Sequence, residues 1–216
     1  MLKLIVGNKK YSSWSMRPWV ALKHAGAPFE EQVIGLDLPD TATNIARVNP
    51  AGRVPALYDD GLLVWDSLAI CEYLAEKLPA AQLWPADVRA RAQARSACAE
   101  MHSSFQALRT DFPMKLVTEK LSTPAIRPEV AADIARITAL WTELRQRYGQ
   151  GGPFLFGRFG IADAYFAPVA VGRFLAYGLR LEGAVKDYVD AVAAQPAVKA
   201  WVDAARQETI RVRRYE

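Results

Sequence analysis

Residues 54–67 read VPALYDDGLLVWDS, and this stretch decides the fold. Two short apolar runs, Ala56 to Tyr58 and Leu62 to Trp65, meet at Asp60-Gly61. That dipeptide suits a two-residue hairpin turn, in which both central residues take positive φ. Beyond Ser67 the apolar period lengthens to about 3.6, with Leu68, Ile70, Cys71, Leu74 and Leu78 on one side, which predicts a helix. The segment therefore runs proline, strand, tight turn, strand, helix N-terminus. The backbone beside Val54-Pro55 and the helix start at Asp66-Ser67 together suit a peptide-like, negatively charged ligand.

Working outward, Leu2 to Val6 reads as a strand, Arg17 to Ala25 as a helix and Glu30 to Val33 as a second strand, with a short helix over Thr41 to Val48. The order is β-α-β followed by β-β-α. A right-handed crossover with an added antiparallel hairpin gives one mixed, four-stranded sheet. From Pro85 onward strand signals stop. Helical patterns run from Val88 to Phe112, Glu129 to Tyr148, Ile161 to Tyr177, Val185 to Ala194 and Ala197 to Gln207, separated by Pro113, Pro124, Pro128, a Gly-rich stretch at 149–153, Gly178, Gly183 and Pro196. The expected division is a sheet domain over 1–78, a linker over 79–87 and an all-helical domain over 88–216.

The chain has 216 residues, of which 51% are hydrophobic, enough to bury a substantial core. Met1 to Val6 is too short for the apolar core of a secretory signal, and no stretch approaches the roughly 18 apolar residues of a membrane span. A cytoplasmic location is expected. The net charge is only +4, with basic and acidic residues interspersed, so nucleic acid is not expected as a partner. Cys71 and Cys98 fall inside helical patterns without metal-ligand spacing, which predicts buried free thiols, no disulfide and no metal. Arg211, Arg213 and Arg214 beside Tyr215 form the one basic cluster, a solvated tail or a C-terminal latch.

A small mixed sheet followed by helices, carrying NPAGRVP at 49–55, WDS at 65–67, ICEYL at 70–74 and FGIAD at 159–163, resembles the cytosolic glutathione transferase family over essentially the whole chain. The resemblance implies a thioredoxin-like N-terminal domain, glutathione as co-substrate, a homodimer and a cis Val54-Pro55 bond. A cis X-Pro bond turns the preceding backbone outward, so that Val54 can pair with a tripeptide as an added strand does. Asp66 and Ser67 are ordinary N-cap residues. The same helix start offers free N–H donors to the γ-glutamyl carboxylate, with Asp66 facing the γ-glutamyl ammonium. Arg53 and Lys10 are the candidates for the glycyl carboxylate.

The segment KKYSSWSMR at 9–17 is similar to the Ser-Ser-Cys-Ser-x-Arg segment of the zeta class, with Trp14 where that class has cysteine. It points to a bacterial, serine-type member in which Ser12, or else Ser13, hydrogen-bonds the glutathione sulfur. Tyr11 is a rival donor and Ser15 a possible helix N-cap, while Pro18 is expected in the first helical turn. The electrophile pocket is expected between the domains, walled by Tyr11 to Trp14 and by His102, Phe105, Gln106, Arg109 and Phe112 at helical spacing on the first long helix. A cation at Arg109 would favour anionic electrophiles. The resemblance implies thiolate attack on small hydrophobic electrophiles. The alternatives are glutathione-dependent cis–trans isomerisation of the maleylacetoacetate type and a non-catalytic protein-binding module. Gly160 stands where the family usually has a Ser or Thr ahead of Asp163, so the reciprocal capping box is expected to be lost.

Overall fold

A computed structural model of the chain describes residues 1–117, 119 and 121–212. The first strand, β1 (Leu2–Gly7), is followed by α1 (Ser13–His24), β2 (Phe29–Ile34), α2 (Thr41–Val48), β3 (Ala56–Asp59), β4 (Leu62–Val64) and α3 (Ser67–Lys77). The sheet order is β2-β1-β3-β4, with β1 parallel to β2 and the other two pairings antiparallel. Central position explains why β1 is apolar apart from Lys3, whose ammonium pairs with Glu30 on β2: both faces of the strand are covered. Leu2, Leu4 and Val6 point into the main core with residues of α1 and α3, while Ile5 faces the other way onto Ile34, Ile45 and Ala56 beneath α2. The hairpin is the one the sequence predicts, with Asp59 opposite Leu62 and positive φ at Asp60 (47°) and Gly61 (92°).

A 3-10 turn at Pro79–Ala81 leads to α4 (Val88–Ser103), α5 (Gln106–Asp111), α6 (Pro128–Tyr148), α7 (Ile161–Val169), α8 (Gly183–Ala194) and α9 (Pro196–Gln207). Every residue of α7 is buried, and α1 packs directly against it. The two halves thus share one core, in which Trp141 of α6 meets Phe166, Phe174 and Tyr188 edge-on or tilted. Cys71 and Cys98 are free and buried, and burial raises both thiols above their ordinary range. Among the described residues no helix is long and apolar enough to cross a membrane.

Four local expectations need correction. The helix expected over Val88 to Phe112 breaks at Ser104-Phe105, where Phe105 takes a left-handed φ of 65° and the Arg109 guanidinium donates to the Ser104 and Met101 carbonyls that end α4. The first helix begins at Ser13 and not at Arg17, so Pro18 lies inside it and leaves the Trp14 carbonyl without its helical donor. Its N-cap is Ser12 and not Ser15. The capping box of α7 survives by half: Gly160 has no side chain to offer, but Asp163 Oδ2 accepts the Gly160 N–H at 3.0 Å.

The C-terminal segment is a latch as far as it is described. The Glu208 carboxylate accepts the Lys9 and Lys10 backbone N–H groups at 2.6 and 3.0 Å, and Val212 is buried. Arg213, Arg214 and Tyr215 lie outside the described residues.

Candidate active site

A cleft of about 820 Å³ opens between the sheet half and the helical half. From the first it is lined by Tyr11 to Trp14, Asn49, Arg53 to Pro55 and Trp65 to Ser67; from the second by His102, Gln106, Arg109, Met114 and Arg173. Of the residues singled out in the sequence, Tyr11, Ser12, Ser13, Trp14, Arg53, Val54, Pro55, Asp66, Ser67 and Arg109 all meet here. Phe105 does not: it is buried in the core at the helix break, and Phe112 is buried likewise. The formal charges on the lining are Arg53, Arg109 and Arg173 against Asp66, a balance that suits an anionic ligand.

Ser12 and Ser13 stand at the positive end of α1. Ser12 Oγ accepts the Ser15 N–H at 3.3 Å and donates to Ser15 Oγ at 2.8 Å, while Ser15 Oγ accepts the Gly7 N–H at 3.0 Å. Ser15 is completely buried, so it fixes the orientation of Ser12 from behind. The Ser13 hydroxyl makes no hydrogen bond among the described residues. Tyr11 is buried in the cleft wall.

Val54-Pro55 is cis, and β3 begins directly after it. Asn49 shapes the approach: its amide donates to the Arg53 carbonyl at 2.8 Å and its oxygen accepts the Ala51 N–H at 3.0 Å. Arg53 is exposed on the lining. Lys10 is absent from the lining, because its ammonium donates to the Glu208 carbonyl at 2.9 Å within the C-terminal latch. The candidate for a terminal carboxylate at this end is therefore Arg53.

At the start of α3, Asp66 follows a cis Trp65-Asp66 peptide and caps the helix, its Oδ1 accepting the Leu68 N–H at 2.9 Å. Its Oδ2 lies 3.3 Å from His102 Nε2. Ser67 is buried, and its hydroxyl lies 3.0 Å from the Tyr165 hydroxyl, which is itself 3.0 Å from His102 Nδ1. The two residues expected to hold a γ-glutamyl group are thus tied into the helical half through α4 and α7. Burial raises the Tyr165 hydroxyl above its ordinary range. The tie was missed in the sequence because its partners lie 63 and 98 positions apart.

Two guanidinium groups and an imidazole pack on the Trp14 ring. The Arg17 guanidinium lies 4.3 Å and that of Arg109 4.8 Å from its ring, and His102 meets it edge-on at 5.1 Å. Arg17 is fully buried; its Nε donates to the Tyr165 carbonyl at 3.1 Å, and its two terminal nitrogens have no partner among the described residues. Burial lowers Arg17 and brings Arg109 down to about 10, the nearby Arg17 adding to the latter shift. Two guanidinium groups within about 5 Å of one indole make cation–π contacts, which gives Trp14 a structural reason in a place where a thiol would leave both cations without an aromatic partner. Among the described residues no cluster of three or more His, Cys, Asp and Glu is placed to hold a metal ion.

Two family models match the chain: "Glutathione S-transferase, N-terminal domain" over residues 11–77 and "Glutathione S-transferase, C-terminal domain" over 127–204. A zeta-class glutathione S-transferase from Euphorbia esula is 33% identical over 168 residues, covering 76% of this chain and 74% of that protein. A probable maleylacetoacetate isomerase from Caenorhabditis elegans is 33% identical over 108 residues, half of each chain. Among solved structures, a glutathione transferase homologue from Burkholderia gl BGR1 with bound glutathione superposes with a TM-score of 0.70 at 26% identity, covering 94% of this chain and 97% of the other. The sheet order, the two matched domains and the relative aligned over three quarters of the chain lead to one conclusion: the chain belongs to the glutathione S-transferase family.

Proposed function

We propose that this protein is a serine-type glutathione transferase that ionises the glutathione thiol in the interdomain cleft and directs the thiolate at small, mostly apolar electrophiles. The observation that carries the reading is convergence: the cis Val54-Pro55 pair, the helix start at Asp66-Ser67 and the serines at the start of α1 all line one cleft. In this reading Val54 pairs with the tripeptide backbone and Arg53 holds the glycyl carboxylate. Ser67 and the α3 N-terminus hold the γ-glutamyl carboxylate, and Asp66 meets the ammonium. The reaction forms a carbon–sulfur bond and expels the electrophile's leaving group, the thiol proton passing to solvent. The protein acts as a homodimer in the cytoplasm.

The chemistry asked of the serine is modest. A free thiol ionises near pH 8.5, so a largely ionised thiol at neutral pH needs a shift of about one to two units. A hydrogen bond to a charged acceptor contributes about 1.5–3 kcal/mol, the equivalent of about one to two units, and the positive end of α1 adds to it. Ser12 supplies that bond by turning its proton from Ser15 to the sulfur. Ser15 then donates to Ser12 while still accepting from Gly7, a chain in which each bond strengthens the next. Ser13, whose hydroxyl has no hydrogen-bond partner among the described residues, is the second donor. Trp14 fills the place of the zeta-type cysteine, which favours conjugation over isomerisation.

Calorimetry with millimolar glutathione, followed by turnover with a panel of electrophiles, tests the reading. Saturable binding with conjugate formation is expected; no binding at that concentration would overturn it.

A further inference from the structure

The His102–Tyr165 pair does more than tie the two halves together. We propose that His102 and Tyr165 are positioning residues that decide, through the protonation of His102, whether the Ser67 hydroxyl gives its hydrogen to the ligand's γ-glutamyl carboxylate or keeps it within the protein. The proposal rests on the glutathione reading above and concerns how one end of that site is switched.

Four groups stand in a row, Asp66 Oδ2, His102, the Tyr165 hydroxyl and the Ser67 hydroxyl, separated by 3.3, 3.0 and 3.0 Å. A carboxylate only accepts, so Asp66 favours the tautomer that carries its proton on Nε2. In the neutral ring Nδ1 is then bare and accepts, and the Tyr165 O–H must be spent on it. The Tyr165 oxygen is left as an acceptor, and it draws the Ser67 hydrogen inward, away from the cleft. When the ring is protonated, Nδ1 becomes a donor and every bond reverses. His102 donates to Tyr165, Tyr165 donates to Ser67 Oγ, and the Ser67 hydrogen is free to point at a carboxylate in the cleft. Each hydroxyl carries one hydrogen, so the two arrangements exclude each other.

His102 faces Asp66 at the start of α3 and Tyr165 on α7, and shares the Trp14 ring with Arg17 of α1 and Arg109 of α5. Arg109, though lowered to about 10, stays cationic through neutral pH, and burial moves Tyr165 and the nearby Cys71 and Cys98 upward, away from it. Histidine side chains exchange their proton between about pH 5 and 8. Ser67 is buried with its hydroxyl on Tyr165, so its hydrogen has few other places to go.

The test is the affinity of S-methylglutathione, which has no thiol to ionise, measured calorimetrically between about pH 5.5 and about pH 7, the part of the imidazole range in which the probe keeps its own charges. The wild-type protein is expected to bind about threefold or more tightly at the acid end, as a hydroxyl–carboxylate bond is gained. Tyr165→Phe frees Ser67 at every pH and should bind without pH dependence at the tight, acid-end affinity. Ser67→Ala should also lose the pH dependence, at the weak affinity, and His102→Gln should lose it with the thermal melt unchanged. A role confined to packing would instead lower the affinity of Tyr165→Phe and leave its pH slope intact. That result, or a flat wild-type profile, would overturn the relay while leaving the glutathione site standing. Absence of binding at every pH would overturn the site and the relay together.

Discussion

Replacing Asp163 with asparagine separates the two effects of a carboxylate that the fold buries almost completely. Oδ1 accepts the Leu155 N–H and Oδ2 the Gly160 N–H, each at 3.0 Å, so the side chain caps α7 from inside while Gly160 contributes none of its own. Burial, outweighing those two bonds, raises the carboxyl from the ordinary 3.8 to about 7. A folded-state value above the unfolded one means that the folded protein holds the proton more tightly. The stability gained this way is complete below about pH 3.8 and is lost as the pH rises through about 7. The gap of about three units corresponds to about 4 kcal/mol. Asparagine has one acceptor oxygen, so one buried N–H goes unpaired at a cost of about 1–3 kcal/mol that does not vary with pH. The wild type should therefore lead Asp163→Asn more at about pH 4.5 than at about pH 8, the lead shrinking by about 3 kcal/mol between them. Urea unfolding of both proteins at one fixed concentration across this range measures the difference. A lead that stays constant, or grows with pH, would show that the two amides hold the carboxylate ionised and would refute the reasoning.

Gly160→Ser should lower stability by about 1–3 kcal/mol even though serine is the better N-cap residue, because a Cβ there would lie 2.6 Å from the Leu83 carbonyl oxygen; a thermal melt at or above the wild-type value would contradict this. Arg17→Met removes a buried, under-bonded cation while keeping its volume, so stability should hold within about 1 kcal/mol or rise by several. A loss above about 3 kcal/mol would mean that the stack on Trp14 outweighs the burial of the charge. Arg53→Ala should weaken glutathione about tenfold or more with kcat little changed, as a charge-assisted bond to one carboxylate is lost. Lys10→Met should leave that affinity alone, and the reverse pattern in binding titrations would reassign the glycyl carboxylate.

The sheet half was legible because its signals are local. Asp60-Gly61 sets its own turn, Thr41 to Val48 forms the short helix at the bounds its pattern indicates, and Leu57 to Asp59 pair with Leu62 to Val64 across that turn. The helix break at Phe105 carries no glycine or proline. It is held by Arg109 reaching back to the carbonyls of Ser104 and Met101, a tertiary contact that no period betrays. Pro18 was placed in a first turn because the Ser12 cap lies further back than the apolar pattern begins. In the candidate site, the binding dipeptides stand close in sequence and were readable together. The cluster of Trp14, Arg17, His102 and Tyr165 was not, since it forms only when α1, α4 and α7 meet across the boundary between the halves. Gly160 is intermediate: the departure from the family pattern was visible, but its cause, the Leu83 carbonyl, appears only in the packed linker.

The central claim is that Ser12 stabilises a glutathione thiolate in this cleft, and an ultraviolet titration of bound glutathione measures it directly. With the wild-type protein the bound thiol should ionise about one to two units below its free value near 8.5, and Ser12→Ala should return most of that shift while Ser13→Ala returns less. An unchanged titration in the Ser12→Ala, Ser13→Ala double variant would contradict the account.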